Sequence, residues 1–314
     1  MTKYLLLILF STLFSCTNND SEKPKEEIPT PTTPVSNDPK TLLWKIEIDT
    51  TLPASYLFGT LHEVGNSIFD SFGEAKHQLQ ESKFCLLETL IHQSNDDLKE
   101  LFKFEKQKVT TIDNIWKSIL TGEEYDIFKS SLIKTKKANL ICVPAQDIYA
   151  QLSYYTYENF CQPSYAKSDS LTMENYIEKI AKSSKKNLIG LDDEINFKHV
   201  SPVYDKNYDY LKNQSKEDIK DMISIMNQIL NDTVNCSDTK KYLAFDIQYS
   251  FDKFVDYETY GLNLRNEKWM PIIEKTIKKG KTFIAVGYQH LCYSNGLIQR
   301  LKSKGYKVTP VVAR

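Results

Sequence analysis

Ile284-Ala285-Val286-Gly287-Tyr288-Gln289-His290 is an apolar run that closes on Gly, two residues and His, and Tyr56-Leu57-Phe58-Gly59-Thr60-Leu61-His62 repeats the plan near the other end of the chain. Short apolar runs bounded by turn residues read as buried strands. A Gly at the end of such a strand lets the backbone turn or lets another group approach closely. Open α/β sheets place their ligands in the crevice beyond the carboxyl ends of their strands. The chain has only five His, so two in matching settings point to one shared crevice. A turn followed by an ordinary hydrogen-bonded His at each place is the alternative, and this pattern alone leaves it open.

Outward from these runs, Leu43-Trp44-Lys45-Ile46-Glu47-Ile48 alternates and, across a turn at 49–53, predicts a hairpin with Ser55-Tyr56-Leu57-Phe58. Residues 84–88, 140–143, 187–191 and 306–311 complete seven candidate strands with the run at 282–286. Apolar positions recur at three- and four-residue intervals over 67–82, 95–137, 146–160, 169–183, 215–231, 238–278 and 294–304, as in Ile223, Met226, Ile229 and Leu230. Strands alternating with helices predict a mixed α/β fold, a central sheet covered by helices. The more helical middle, roughly 92–280, predicts a helical cap.

An apolar content of 41% with 26% charged residues excludes disordered, collagen-like and polytopic membrane classes. Forty Lys plus Arg against 41 Asp plus Glu leave a net charge of -1, so no global basic field exists to hold nucleic acid. No GxGxxG or GxxxxGK[ST] segment is present to cradle a nucleotide phosphate.

The first residues, Met1-Thr2-Lys3 followed by Tyr4-Leu5-Leu6-Leu7-Ile8-Leu9-Phe10, are a charged start and an apolar run too short for a stable membrane span. Residues 1–15 therefore read as a signal peptide. Leu13-Phe14-Ser15-Cys16 resembles the bacterial lipobox, which makes Cys16 the acylated first mature residue; an ordinary secretory signal with an incidental Cys is the alternative. Residues 16–39, with Pro24, Pro29, Pro31, Pro34 and Pro39 among polar residues, read as an extended tether to a domain at 40–314. The expectation is a domain anchored to a bacterial membrane by palmitate-like acyl chains, outside the cytoplasm. Cys85 and Cys142 read as core residues. Cys161 and Cys236 lie in polar segments and are able to pair in an oxidising compartment, although an odd count fixes no connectivity.

Glu88 closes Phe84-Cys85-Leu86-Leu87-Glu88, where burying a carboxylate demands a cation or donor partner. With His62 and His290 it makes a candidate divalent-metal set, and Glu63 beside His62 is a candidate base. Imidazole with carboxylate suits Zn, Mn, Co or Fe, and an open coordination position activates water for hydrolysis. No HExxH or GxSxG segment offers another hydrolytic arrangement. Arg265, one of few Arg in a Lys-rich chain, is placed to steady an oxyanion or, alternatively, to pair with Glu267 on a helix surface. Asp192, Asp193 and Glu194 follow a strand and are suited to cap a helix. His77, His92 and His199 sit in polar contexts with no expected chemistry.

Phe58-Gly59-Thr60-Leu61-His62, Leu86-Leu87-Glu88, Arg265-Asn266 with Trp269, and Val286-Gly287-Tyr288-Gln289-His290-Leu291 together resemble the TraB/PrgY/GumN family, which includes the TIKI-type membrane-anchored proteases. The resemblance covers essentially residues 41–314. It implies a fold similar to erythromycin-esterase and ChaN-like proteins, and metal-dependent hydrolysis of a peptide with His62, His290 and Glu88 at the site. A binder that sequesters a peptide or haem in the same crevice, or a hydrolase of small-molecule esters, is the competing expectation. Where many relatives carry Gly-Leu-Glu, this chain has Gly190-Leu191-Asp192.

Overall fold

The computed structural model describes residues 38–49, 51–90, 109–166, 169, 171–194, 208–255 and 261–314. All of them belong to the unit Asp38–Arg314. Cys16, His92 and His199 lie outside the described residues, as does the proposed signal and most of the tether.

Six strands form one mixed sheet: β1 (Leu43–Glu47), β2 (Ser55–Thr60), β3 (Phe84–Leu87), β4 (Asn187–Gly190), β5 (Thr282–Gly287) and β6 (Lys307–Val311), in the spatial order β4-β3-β5-β2-β1-β6. The β1–β2 hairpin is antiparallel as expected, and β6 pairs antiparallel to β1. Strands β4, β3, β5 and β2 run parallel to one another. Every residue of β5 is buried, which is why its sequence is a continuous apolar run and not an alternating one. Pro310 is tolerated because β6 is an edge strand, where a missing N–H donor need not face a neighbour.

Helices α1 (Asn66–Asp70), α2 (Gly73–Glu81), α6 (Met173–Ser183), α7 (Leu191–Glu194), α11 (Leu262–Ile277) and α12 (Leu297–Ser303) contribute apolar residues to the sheet core, including Ile68, Leu79, Ile177, Leu191, Ile273 and Leu301. A second buried cluster is built by α3 (Val109–Ile119), α4 (Gly122–Lys134), α5 (Ala145–Thr156), α8 (Asp209–Lys212) and α9 (Lys216–Leu230), with Trp116, Phe128, Ile148, Leu152, Met222 and Met226. Each such fully buried large apolar side chain contributes roughly 1.5–3 kcal/mol relative to exposure. The helical middle thus has a core of its own, while β4, α6 and α11, which lie in the same stretch of sequence, pack with the sheet.

Several expected elements differ. Residues 140–143 are not a strand: Ala138–Cys142 is a 3-10 helix whose Leu140, Ile141 and Cys142 enter the second cluster, and Trp116 Nε1 donates to the Ile141 carbonyl at 2.8 Å. A short apolar run fits either conformation, and here the helices around it decided. The helix expected over 95–137 is interrupted at Leu120-Thr121, where Thr121 and Glu124 form a capping box that starts α4. Its first part lies outside the described residues. The expected helix at 67–82 breaks between α1 and α2. That at 238–278 is two helices, α10 (Ser237–Leu243) and α11, and Phe245 and Ser250 between them adopt left-handed backbone (φ 57° and 47°).

Cys85 and Cys142 are buried thiols, as expected. Cys161 and Cys236 are joined, the pairing that the cysteine count had left open. The bond links the π-helical turn Tyr157–Cys161 that follows α5 to the residue that precedes α10.

Candidate functional site

Four parallel strands deliver their carboxyl ends to one edge. Thr60 pairs with Gly287, Leu87 with Ala285, and Leu87 with Gly190. The residues just beyond these ends are His62, Glu88, Asp192 and His290, so strand register alone gathers them.

Glu88 is the hub. Its Oε1 accepts from the Gly287 N–H at 2.6 Å and lies 3.8 Å from His62 Nε2 and 3.6 Å from His290 Nε2. Its Oε2 accepts from Arg265 Nη2 at 2.5 Å. Arg265 is 4% exposed, so it is no surface partner of Glu267; α11 carries it inward, where it donates to both oxygens of Asp192, from Nη2 at 2.8 Å and Nε at 3.2 Å. Its guanidinium stacks 4.5 Å from the Trp269 ring, and Trp269 Nε1 donates to Asp192 at 2.9 Å. Asp192, 1% exposed, therefore braces Arg265 instead of capping a helix with its side chain.

His290 is 2% exposed, with Nδ1 2.7 Å from Asn266 Oδ1 and Nε2 3.2 Å from Arg265 Nη1. Arg265 can only donate, so the consistent tautomer has the proton on Nδ1, donated to Asn266, and a lone pair on Nε2. The ring also packs 4.5 Å from Trp269. His62 is more open, with 48% of its side chain exposed, and its Nδ1 is 2.8 Å from Glu174 Oε1 at the start of α6. Both glycines of the repeated pattern permit close approach. A Cβ on Gly287 would sit 3.1 Å from His62 Nε2 and 3.2 Å from Glu88 Oε1, and one on Gly59 would sit 2.9 Å from Tyr288 Cβ.

These contacts set the charges. Burial raises the Glu88 carboxyl, yet the net shift is downward, and we ascribe it to the Arg265 and His62 cations and the Gly287 N–H. Burial, with Arg265 and His62 nearby, lowers His290 to about 3, so its ring is neutral. Burial also opposes a charge on His62, but Glu174 and Glu88 outweigh it and raise that ring to about 10. Glu63 is half-buried beside His62 and stays outside the bonded cluster; burial raises its carboxyl. Tyr154 of α5 is raised by burial and by Glu174, Glu63 and Glu88. His77 is exposed on α2, away from this group.

The arrangement contains both ingredients and an obstacle for a metal. Donors bound at 2.0–2.2 Å around a tetrahedral ion stand about 3.3–3.6 Å apart, close to the imidazole separations from Glu88 Oε1. Each ring has its second nitrogen held by an oxygen, as ligating imidazoles do. Against this, Arg265 Nη1 faces His290 Nε2, and among the described residues no group of three or more His, Cys, Asp or Glu has ready metal geometry. The donor types fit; seating an ion requires Arg265 to release His290 and the His62 ring, charged as it stands, to give up its Nε2 proton.

Glu174 and Asn266, the partner of His290, were not expected as site residues. Asn266 stood in the quoted Arg265-Asn266 pair, but nothing in the sequence around Glu174 marks it.

A mixed α/β core with a His, Glu and Arg constellation at the carboxyl ends of its parallel strands defines the class. The TraB/PrgY/gumN family model matches residues 42–310, and the chain belongs to that family. No curated protein and no solved structure matches it.

Proposed function

We propose that the chain is a hydrolase, most simply a metal-dependent peptidase, that works at the Glu88 crevice and is held outside the cytoplasm by an acylated Cys16. The observation that carries this reading is the convergence of both imidazoles, one from each Gly-x-x-His turn, on a single oxygen of an ionised carboxylate. His62, His290 and Glu88 would hold a divalent ion such as Mn, Co or Zn, which when bound supplies electrophilic activation of a carbonyl and of water.

The chain's own residues prepare the site. Asn266 keeps the Nδ1 proton on His290 and so leaves Nε2 as the donor. Arg265, saturated by Glu88 and Asp192, is too buried to reach far into the crevice, so its role is to keep Glu88 ionised. His62 is the exposed member and faces the substrate side, with Glu63 beside it as a candidate base.

The test combines metal content of purified protein with hydrolysis of a peptide library and a set of esters, with and without chelator and with added Mn, Co or Zn. Chelator-sensitive peptide cleavage that disappears in His62→Ala supports the reading; absence of cleavage under every condition overturns it. The second reading is a non-catalytic receptor for a peptide or haem. It is favoured by one contact, Arg265 with His290 Nε2, which satisfies that nitrogen without an ion. Binding without turnover in the same assay distinguishes it, and cleavage of esters alone marks a small-molecule hydrolase.

A further inference from the structure

Glu174 lies far from the Gly-x-x-His turns in sequence, yet the backbone fixes it against the first of them. The N–H of Met173 donates to the Val64 carbonyl at 2.8 Å and that of Asn66 to the Leu171 carbonyl at 3.1 Å. Gly65 and Thr172 form an isolated antiparallel bridge. Thr172 then caps α6 by accepting from the Asn175 N–H through its side chain at 3.4 Å. The start of α6 is thereby laced to the loop that carries His62, and Glu174, in its first turn, reaches His62 Nδ1 at 2.8 Å. Asp169 secures the same loop from the other side through the Ser67 N–H at 2.9 Å.

The two nitrogens of His62 thus face two different carboxylates. Nδ1 is at Glu174, while Nε2 is turned to Glu88 Oε1 and to the space that the missing side chain of Gly287 leaves open. Glu174 Oε1 finds no aligned hydrogen bond, so the 2.8 Å approach of His62 Nδ1 becomes one on rotation of the ring. His62 keeps 48% of its side chain exposed, whereas buried His290 is held by Trp269 and Asn266.

We propose that Glu174 is the positioning residue of His62: it retains the proton on Nδ1 and turns Nε2 toward Glu88. The part of the test that uses metal rests on the function proposed above, and the part that uses the ring does not. Ring 1H–15N correlations on labelled protein, assigned by loss in His62→Ala, read the first point directly. In wild type the His62 Nδ1 proton is expected to be protected from exchange. In Glu174→Ala that signal is lost, and affinity for Mn or Zn alone falls about 10- to 100-fold. Glu174→Gln, which keeps an acceptor oxygen, is expected to retain the signal and much of the affinity. Circular dichroism of both variants reports whether the fold survives.

A Glu174→Ala protein with the protected proton and wild-type affinity overturns the proposal. So does a Glu174→Gln protein that loses both to the same extent as alanine while still folded. If the wild type binds neither ion, the metal reading of the crevice fails, and the ring signal in the two variants alone decides the role of Glu174.

Discussion

Arg265 Nη2 stands 2.5 Å from Glu88 Oε2, a charge pair assembled from the first turn of α11 and the residue after β3 and almost sealed from water. Desolvating such a pair is expensive, and it is tolerated here because Asp192, Gly287 and Trp269 complete the remaining donors and acceptors.

Removing the cation should therefore be more harmful than removing an exposed one. Arg265→Ala leaves Glu88 and Asp192 buried without their partner and is expected to lower stability by about 3–5 kcal/mol. Urea denaturation followed by circular dichroism measures this. A loss under 1 kcal/mol would mean that the two carboxylates are solvated in solution.

The two histidines should separate function from stability. His62→Ala removes a half-exposed ring that faces Glu174 and Glu88, and should abolish the proposed hydrolysis at a smaller cost in melting temperature than loss of a buried ring. His290→Ala removes a buried ring packed against Trp269 and leaves Asn266 Oδ1 without its donor, so it should destabilise by about 2–3 kcal/mol. Thermal melts of the two variants side by side check the contrast.

Gly59→Ala and Gly287→Ala should both be harmful for different reasons. At Gly59 the new methyl meets Tyr288 Cβ and backbone, which predicts a stability loss of about 1–3 kcal/mol. At Gly287 it meets His62 Nε2 and Glu88 Oε1, so activity should fall further than stability. Equal behaviour of the two variants in melting and turnover would contradict this.

Cys161–Cys236 spans 75 residues, and its reduction is expected to lower stability by roughly 2–4 kcal/mol. Denaturation with and without reductant, compared with a Cys161→Ser and Cys236→Ser double variant, tests it. The double variant should match the reduced wild type.

Asp113 gives an acid-side signature away from the site. Burial raises its carboxyl, but the Tyr125 hydroxyl, Lys129 and Lys117 outweigh burial and lower it to about 2. A carboxyl lowered on folding stabilises the protein fully above its unfolded value near 4, and the contribution is lost as pH falls through the folded value. Because both lysines are substantially exposed, the gain is about 1 kcal/mol. Asp113→Asn should remove it at pH 6 and make a much smaller difference near pH 2, as read from denaturation midpoints at the two pH values.

How much of this was legible depended on how local the signal was. The β1–β2 hairpin, the strands at 84–88, 187–191 and 282–286, and the pairing of two Gly-x-x-His turns followed from runs only a few residues long. The 140–143 run misled because its apolar residues satisfy either a strand or a buried helical turn, and only the surrounding helices select between them. The long helices over 95–137 and 238–278 were over-extended because amphipathic spacing continues across a cap. Thr121 with Glu124 was a readable stop that the periodicity masked.

Sequence by itself determined that His62, Glu88 and His290 each follow an apolar strand and that a mixed α/β core would carry them. Tertiary structure decided that those strands run parallel and adjacent, that Arg265 turns inward to Glu88 and Asp192, and that Glu174 meets His62. The physical reason is that strand identity is written in a few neighbouring side chains. The partner of a buried charge is chosen by which distant group the packed chain brings within hydrogen-bond range, and no local pattern encodes that.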